Sequence, residues 1–213
     1  MEGSDRLARK DTSFVQIVDV AFADAAARSG SHLVCQPGCS QCCTGAFVIN
    51  QLDALRLRRG LEQLAHTDPE RAARVERRAR EYVELLGPTY PGDTVNGLLH
   101  EDPDSMERFE DFGDDEPCPA LDPGTRTCDL YAARPLTCRV FGPPVRSEEG
   151  LGVCELCFTH ATPEEIERCE MQVDPDTLEL QLNQEAEELT SQRGSTVVAW
   201  ALLDSAGLYG RNG

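Results

Sequence analysis

The sequence predicts a mainly α-helical protein in which irregular, cysteine-rich loops pack among the helices, with room for a small β element. Three observations predict it. Apolar residues recur at helical spacing in several stretches, capping residues and Gly-Pro pairs punctuate those stretches, and ten cysteines crowd the loops between them. A chain of 213 residues suffices for one substantial core and is short for two, so a single domain over 1–213 is expected. Its cysteine core would span about 35–157, with helical N- and C-terminal extensions.

From Asp11 or Thr12, Phe14, Val18, Ala21, Phe22 and Ala25 mark one face of a helix that ends near Gly30. Asn50 has the profile of an N-cap, with Asp53 three residues on and Leu57, Leu61 and Leu64 along one face. Asp68 and Pro69 open a third helix, with Ala72, Val75, Ala79, Tyr82, Val83 and Leu86 on its stripe, and Gly87 and Pro88 stop it. Between Glu101 and Glu116 nine of sixteen residues are acidic, so a solvated, mobile loop is expected there. The sharper alternative is a partner-docking segment anchored by Phe109 and Phe112. Thr162, Pro163 and Glu165 form a capping box for a short helix through about Cys169. Leu178, Leu180 and Leu182 alternate as a strand would, Glu185 to Gln192 favours helix, and Ser195 to Tyr209 forms a last helix around Trp200.

The cysteines open with Cys35, Cys39, Cys42 and Cys43, continue with Cys118, Cys128 and Cys138, and close with Cys154, Cys157 and Cys169. Charges break the apolar positions of the first twenty residues, unlike a secretory leader, so a reducing cytoplasm is expected. Vicinal Cys42 and Cys43 also suit a disulfide framework poorly. Thiols gathered this way in a reducing compartment point to metal. A tetrahedral zinc or an iron–sulfur cluster needs about four thiolates from loops that bend around it. Cys39 with Cys42, and Cys154 with Cys157, have the two-residue gap that lets paired sulfurs face one ion. The loops would then be metal-stapled.

A turn from Leu130 to Arg134 ended by Pro135 would align Cys128, Tyr131 and Arg134 and return Cys138 in the next loop. Arg134 and Arg139 would then offset the negative charge of a thiolate site, with Tyr131 beside them as a further candidate contact. His160 stands in register for CxxCxxH behind Cys157. The formal charge of −18 weighs against nucleic-acid and anionic membrane partners, and no apolar run approaches the roughly 20 residues of a membrane span.

CxxxCxxCC followed by CPAL, CxxY, RPxxCRxF and a late cysteine pair resembles the YkgJ-type cysteine cluster proteins, a bacterial family described as zinc- or iron-chelating. The resemblance runs from about Cys35 to Cys157, and its opening gap of three residues departs from the family's CxxCxxCC. It implies Cys35, Cys39, Cys42, Cys43, Cys118, Cys128, Cys138, Cys154 and Cys157 as metal ligands, in one site or two. An iron–sulfur cluster, 4Fe–4S in form, in a structural or redox role leads, and zinc stands second. A related cysteine motif in flagellin lysine methylases implies an iron–sulfur-dependent enzyme of lysine methylation as one alternative, and the Cys35-x3-Cys39-x2-Cys42 spacing, which also occurs in radical S-adenosylmethionine enzymes, extends it to S-adenosylmethionine chemistry. The other is a metal-stabilised interaction module that meets a protein partner through residues 101–116.

Overall fold

Short polar signals set the helix starts. The Asn50 side chain accepts from the Asp53 N–H at 2.9 Å and opens α2 (Gln51–Thr67). Asp68 then does two jobs: its N–H closes α2 on the Leu64 carbonyl, and its side chain accepts from the Arg71 N–H to start α3 (Pro69–Leu86). A single residue therefore turns one helix into the next.

The computed structural model describes residues 2–147, 150–174 and 177–203. The chain divides into two compact units, Met1–Cys39 with Leu136–Gln184, and Ser40–Pro135 with Glu185–Gly213.

In the second unit α2 and α3 pack on each other and on α8 (Val198–Leu202). Ile49, Ala54, Leu57, Leu61, Ala72, Val75 and Ala79 meet Val198, Ala201 and Leu202 in one buried cluster. Each large aliphatic side chain buried there contributes roughly 1.5–3 kcal/mol. The backbone of Ile49 pairs with that of Thr196, which fixes the approach to α8. A second cluster joins Tyr82, Tyr90, Phe112, Val197, Ala199 and Trp200, with the Tyr90 and Trp200 rings stacked at 3.9 Å. Trp200 Nε1 donates to the Thr94 carbonyl and Tyr90 Oη to the Gly97 carbonyl, so both buried rings have a polar partner.

The acidic segment corrects the expected loop. Asp102 caps α4 (Pro103–Glu110) by accepting from the Ser105 N–H. Phe112, 5% exposed, lies in the aromatic cluster, with Phe109 packed beside it. A ring that fills the protein's own core is not available to anchor a partner. A hairpin of β1 (Leu121–Asp122) and β2 (Thr127–Cys128) completes the unit, with Leu121 opposite Cys128.

In the first unit α1 (Glu2–Ser29) begins well before the expected Asp11 or Thr12. Leu7, Phe14, Val18 and Ala25 form its buried stripe. The short α5 (Leu136–Val140) packs on it, and the buried Arg139 guanidinium binds Asp19 at 3.0 Å. Arg28 holds the carbonyls of Arg168 and Glu170 against the end of α1. A second hairpin pairs β3 (Val145–Ser147) with β4 (Gly150–Gly152). The capping box of Thr162 and Glu165 is present at α6 (Pro163–Arg168), as its sequence predicts.

The alternating leucines are helical, another correction: α7 (Leu178–Thr190) starts where Asp174 accepts from the N–H groups of Leu178 and Glu179. Leu182, Ala186 and Thr190 are buried at a spacing of four while Leu180 is exposed, so packing selects period 3.6 over period 2. Of the expected last helix α8 is its observed part, and residues 204–213 lie outside the described residues. No helix among the described residues is long and apolar enough to cross a membrane.

Candidate metal centre

None of the ten cysteines forms a disulfide. The two units divide them: Cys42, Cys43, Cys118 and Cys128 belong to the second, and Cys35, Cys39, Cys138, Cys154, Cys157 and Cys169 to the first.

In the second unit three stretches of backbone run side by side. A 3-10 turn, Gln41–Cys43, presents the vicinal pair. The chain after it pairs antiparallel with 116–118, the Cys118 N–H donating to the Cys43 carbonyl at 2.7 Å and the Gly45 N–H to the Glu116 carbonyl at 3.0 Å. The β1–β2 hairpin then returns Cys128 opposite Leu121, held by the Asp129 N–H on the Ala120 carbonyl at 2.8 Å, which brings it near enough to Cys118 for the two thiols to act on each other electrostatically. Arg126, in the left-handed region at φ 55°, turns the hairpin and donates to the buried Ser40 hydroxyl at 2.9 Å, tying it to the start of the cysteine turn. Four thiols are thereby drawn from distant sequence into one neighbourhood.

Their surroundings act on the sulfurs in two opposing ways. Cys118 accepts from the N–H groups of Ala120 and Leu121, and Cys128 from that of Leu130. Backbone N–H groups aimed at sulfur, two and three residues on, stabilise a thiolate. Arg134 lies close enough for its charge to lower the thiol pKa of both Cys42 and Cys128. Opposing this, the hydrogen bond between Cys42 and Cys43 and then burial hold Cys42 well above the usual thiol range. Burial pushes Cys118 up to about 12 and also raises Cys128. Without metal, Cys42, Cys118 and Cys128 are therefore protonated at neutral pH.

The turn Tyr131–Ala133 lies against α2, and Arg134 Nη1 donates to the Tyr131 carbonyl at 2.9 Å. The Arg134 guanidinium also covers the exposed Tyr131 ring at 3.8 Å. Pro135 leads into α5, so Cys138 sits in a helix and not in the loop expected for it. Arg139, expected near the sulfurs, places its guanidinium on Asp19 of α1. The sequence reading missed Asp129: its buried carboxylate accepts from both Arg71 and Arg78 of α3, and Arg78 also donates to the Pro119 carbonyl at 2.8 Å. Arg71 and Arg78 are seven residues apart, two helical turns, which is the one signal that could have paired them.

In the first unit Cys157 is buried, shares a hydrogen bond with Cys154 and accepts from the N–H groups of Val34 and Cys35. Burial raises its pKa against those donors. Cys35 is exposed, while Cys39, Cys138 and Cys154 are half-buried. Cys169 donates its S–H to the Arg28 carbonyl at 3.3 Å, which is the behaviour of a structural thiol. His160 is exposed, and His32 stacks on Phe158 at 5.4 Å.

Among the described residues no three His, Cys, Asp or Glu side chains already surround one point closely enough to hold an ion. The donor chemistry nevertheless suits a thiophilic metal: soft sulfurs in proximity, backbone N–H groups on sulfur, and guanidinium charge beside them.

A family model described as "CxxCxxCC: Putative zinc- or iron-chelating domain" matches residues 34–158, more than half of the chain. The chain belongs to this CxxCxxCC family. The match begins just before Cys35 and ends just after Cys157, so it takes in every cysteine except Cys169. No curated protein and no solved structure matches the chain. Membership makes the CxxCxxCC region a metal-binding one in general.

Proposed function

We propose that Cys42, Cys43, Cys118 and Cys128 are the ligands of a metal centre that staples the 41–45, 116–122 and 127–134 segments together. An iron–sulfur cluster is the leading occupant and zinc the second. The observation that carries this reading is the backbone pairing that sets Cys43 opposite Cys118, with Cys128 brought back across from Leu121 within electrostatic reach of Cys118 and Arg134 near both Cys42 and Cys128.

The bound group would supply a positive centre that replaces the thiol protons. The chain's own residues do the rest. Ala120, Leu121 and Leu130 direct N–H groups onto the sulfurs, and Arg134 offsets part of the charge near −2 that four thiolates impose on such a centre. Asp129 with Arg71 and Arg78 fixes the hairpin to α3, so the strand that ends in Cys128 is tethered to a packed helix. A structural role follows from that stapling, and a redox role follows if the occupant is a cluster. Thiols kept in this state require a reducing compartment, and the charge of −18 favours cations over nucleic acid as partners.

The test is metal and sulfide analysis, with visible and paramagnetic spectra, on protein purified without oxygen. A brown protein with matched iron and sulfide supports the cluster. Colourless protein with stoichiometric zinc replaces it by zinc, and protein that neither retains nor takes up either metal overturns the proposal.

A further inference from the structure

We infer that the chain holds a second, separate thiolate metal site in its first unit, built on Cys35, Cys154 and Cys157. The inference rests on the metal-binding reading above and extends it from one centre to two.

The backbone brings these three residues together from two distant segments. The N–H groups of Val34 and Cys35 both donate to the Cys157 sulfur, which places the start of the 35–39 loop against the 154–157 turn. The Phe158 N–H donates to the His32 carbonyl at 3.0 Å and the Cys157 N–H to the Cys154 carbonyl at 2.8 Å, closing the turn on the same segment. Cys154 and Cys157 already share a hydrogen bond between their side chains. This repeats the plan of the second unit: a pair of bonded thiols, N–H groups on a sulfur, and a neighbouring segment that supplies another cysteine.

The neighbouring backbone and side chains hold the three cysteines close to one another. Gly142, at φ 125°, lies beside Cys35, and a Cβ there would stand 3.6 Å from the Cys35 sulfur and 2.9 Å from Leu33 Cδ1. Glycine, by its φ and by the contact with Leu33, lets residue 142 pack this close to the 33–35 segment. Cys157 is buried with Phe158 and Cys169, with Leu33, Ala161 and Ile166 packed around them, which limits water on the inner side. Three thiolates and a fourth donor complete a tetrahedral site, and the same unit offers Cys39 and Cys138, both half-buried, for that position. Cys169 is excluded by its bond to the Arg28 carbonyl.

The experiment compares metal per chain in the full-length protein with that in C118S/C128S, C154S/C157S and the quadruple variant. Two centres require each double variant to lose its own share and keep the other's, with the two losses adding to the parent total and the quadruple variant empty. If C118S/C128S empties the protein, or C154S/C157S keeps the whole complement, there is one centre and the inference is overturned while the proposal above stands. A metal-free parent overturns both.

Alkylation of the metal-loaded parent, with and without chelator, checks the result without substitutions that could impair folding. Chelation should raise the labelling rate of Cys35, Cys154 and Cys157 together with that of Cys42, Cys43, Cys118 and Cys128. Unchanged labelling of the first three overturns the second site.

Discussion

The Asp129 carboxylate accepts from the Arg78 guanidinium at 2.6 Å, and Nε of the same guanidinium donates to the Pro119 carbonyl at 2.8 Å. One arginine on α3 thus grips the segments on either side of the β1–β2 hairpin, next to Cys118 at one end and Cys128 at the other. The Asp129 side chain is only 2% exposed, so these guanidinium groups stand where water would otherwise solvate it. Asp129→Ala leaves two guanidinium groups without it and should destabilise the protein by about 3–5 kcal/mol in denaturant titration. Metal affinity should fall about 10- to 100-fold, because the hairpin no longer presents its thiols in register. Arg71→Ala, whose side chain is 37% exposed, should cost no more than about 1 kcal/mol.

Proton release gives a second check. Burial leads the causes that hold Cys118 up to about 12 and Cys128 above its ordinary value, and the bond to Cys43 leads for Cys42. Binding of the metal must therefore expel protons at neutral pH. Affinity should rise with pH, with a limiting slope of about four protons per four-thiolate centre, and indicator dye in weak buffer should report the release. The metal-free protein should behave oppositely. A thiol whose pKa is raised by folding stabilises fully below its ordinary value of 9.0, and that contribution is lost as pH climbs from there to about 12. Denaturation midpoints of metal-free protein should fall over that range.

Arg134 offers a third test, because it acts on two sulfurs at once. Arg134→Ala should weaken metal binding about 10- to 100-fold. The loss should be larger at low salt, where the charge is screened less. Arg134→Lys keeps the charge but gives up the planar group over the Tyr131 ring, so it should recover part of the affinity. Tyr131→Ala removes an exposed cation–π contact worth about 0.5–1 kcal/mol and should change metal binding much less.

How far the sequence announces this structure depends on whether a feature is local. Asn50, Asp68 and Thr162 cap their helices through bonds to residues three positions on, and each was legible from spacing alone. Asp102 and Pro103 carry the same signal as Asp68 and Pro69, but the acids around them concealed it. What makes 101–116 ordered is Phe112 against Tyr90 and Trp200, a contact between distant segments that composition does not encode. Leu178, Leu180 and Leu182 misled for the same reason, since the packing of Leu182, Ala186 and Thr190 decides the period. The cysteines were legible as a metal-binding set. Their division between two units was not, because Cys39 and Cys42 are near neighbours in sequence and nothing in a spacing says where one unit ends.

Gly60 provides the last prediction, and its sign runs against helix propensity. In the interior of α2 a Gly→Ala change ordinarily stabilises by up to about 1 kcal/mol. Here a Cβ on residue 60 would run into the Cβ of Ala133, in the turn that leads to Arg134, with Leu130 Cδ2 also within 4.0 Å. The turn would have to lift off the helix, and overpacking of that kind costs about 1–3 kcal/mol. Gly60→Ala should therefore lower stability and, by moving Arg134 from Cys42 and Cys128, weaken metal binding too. The compensating change Ala133→Gly should return most of both losses in the double variant. A coupling energy near zero in that cycle would mean that α2 and the turn do not touch as described.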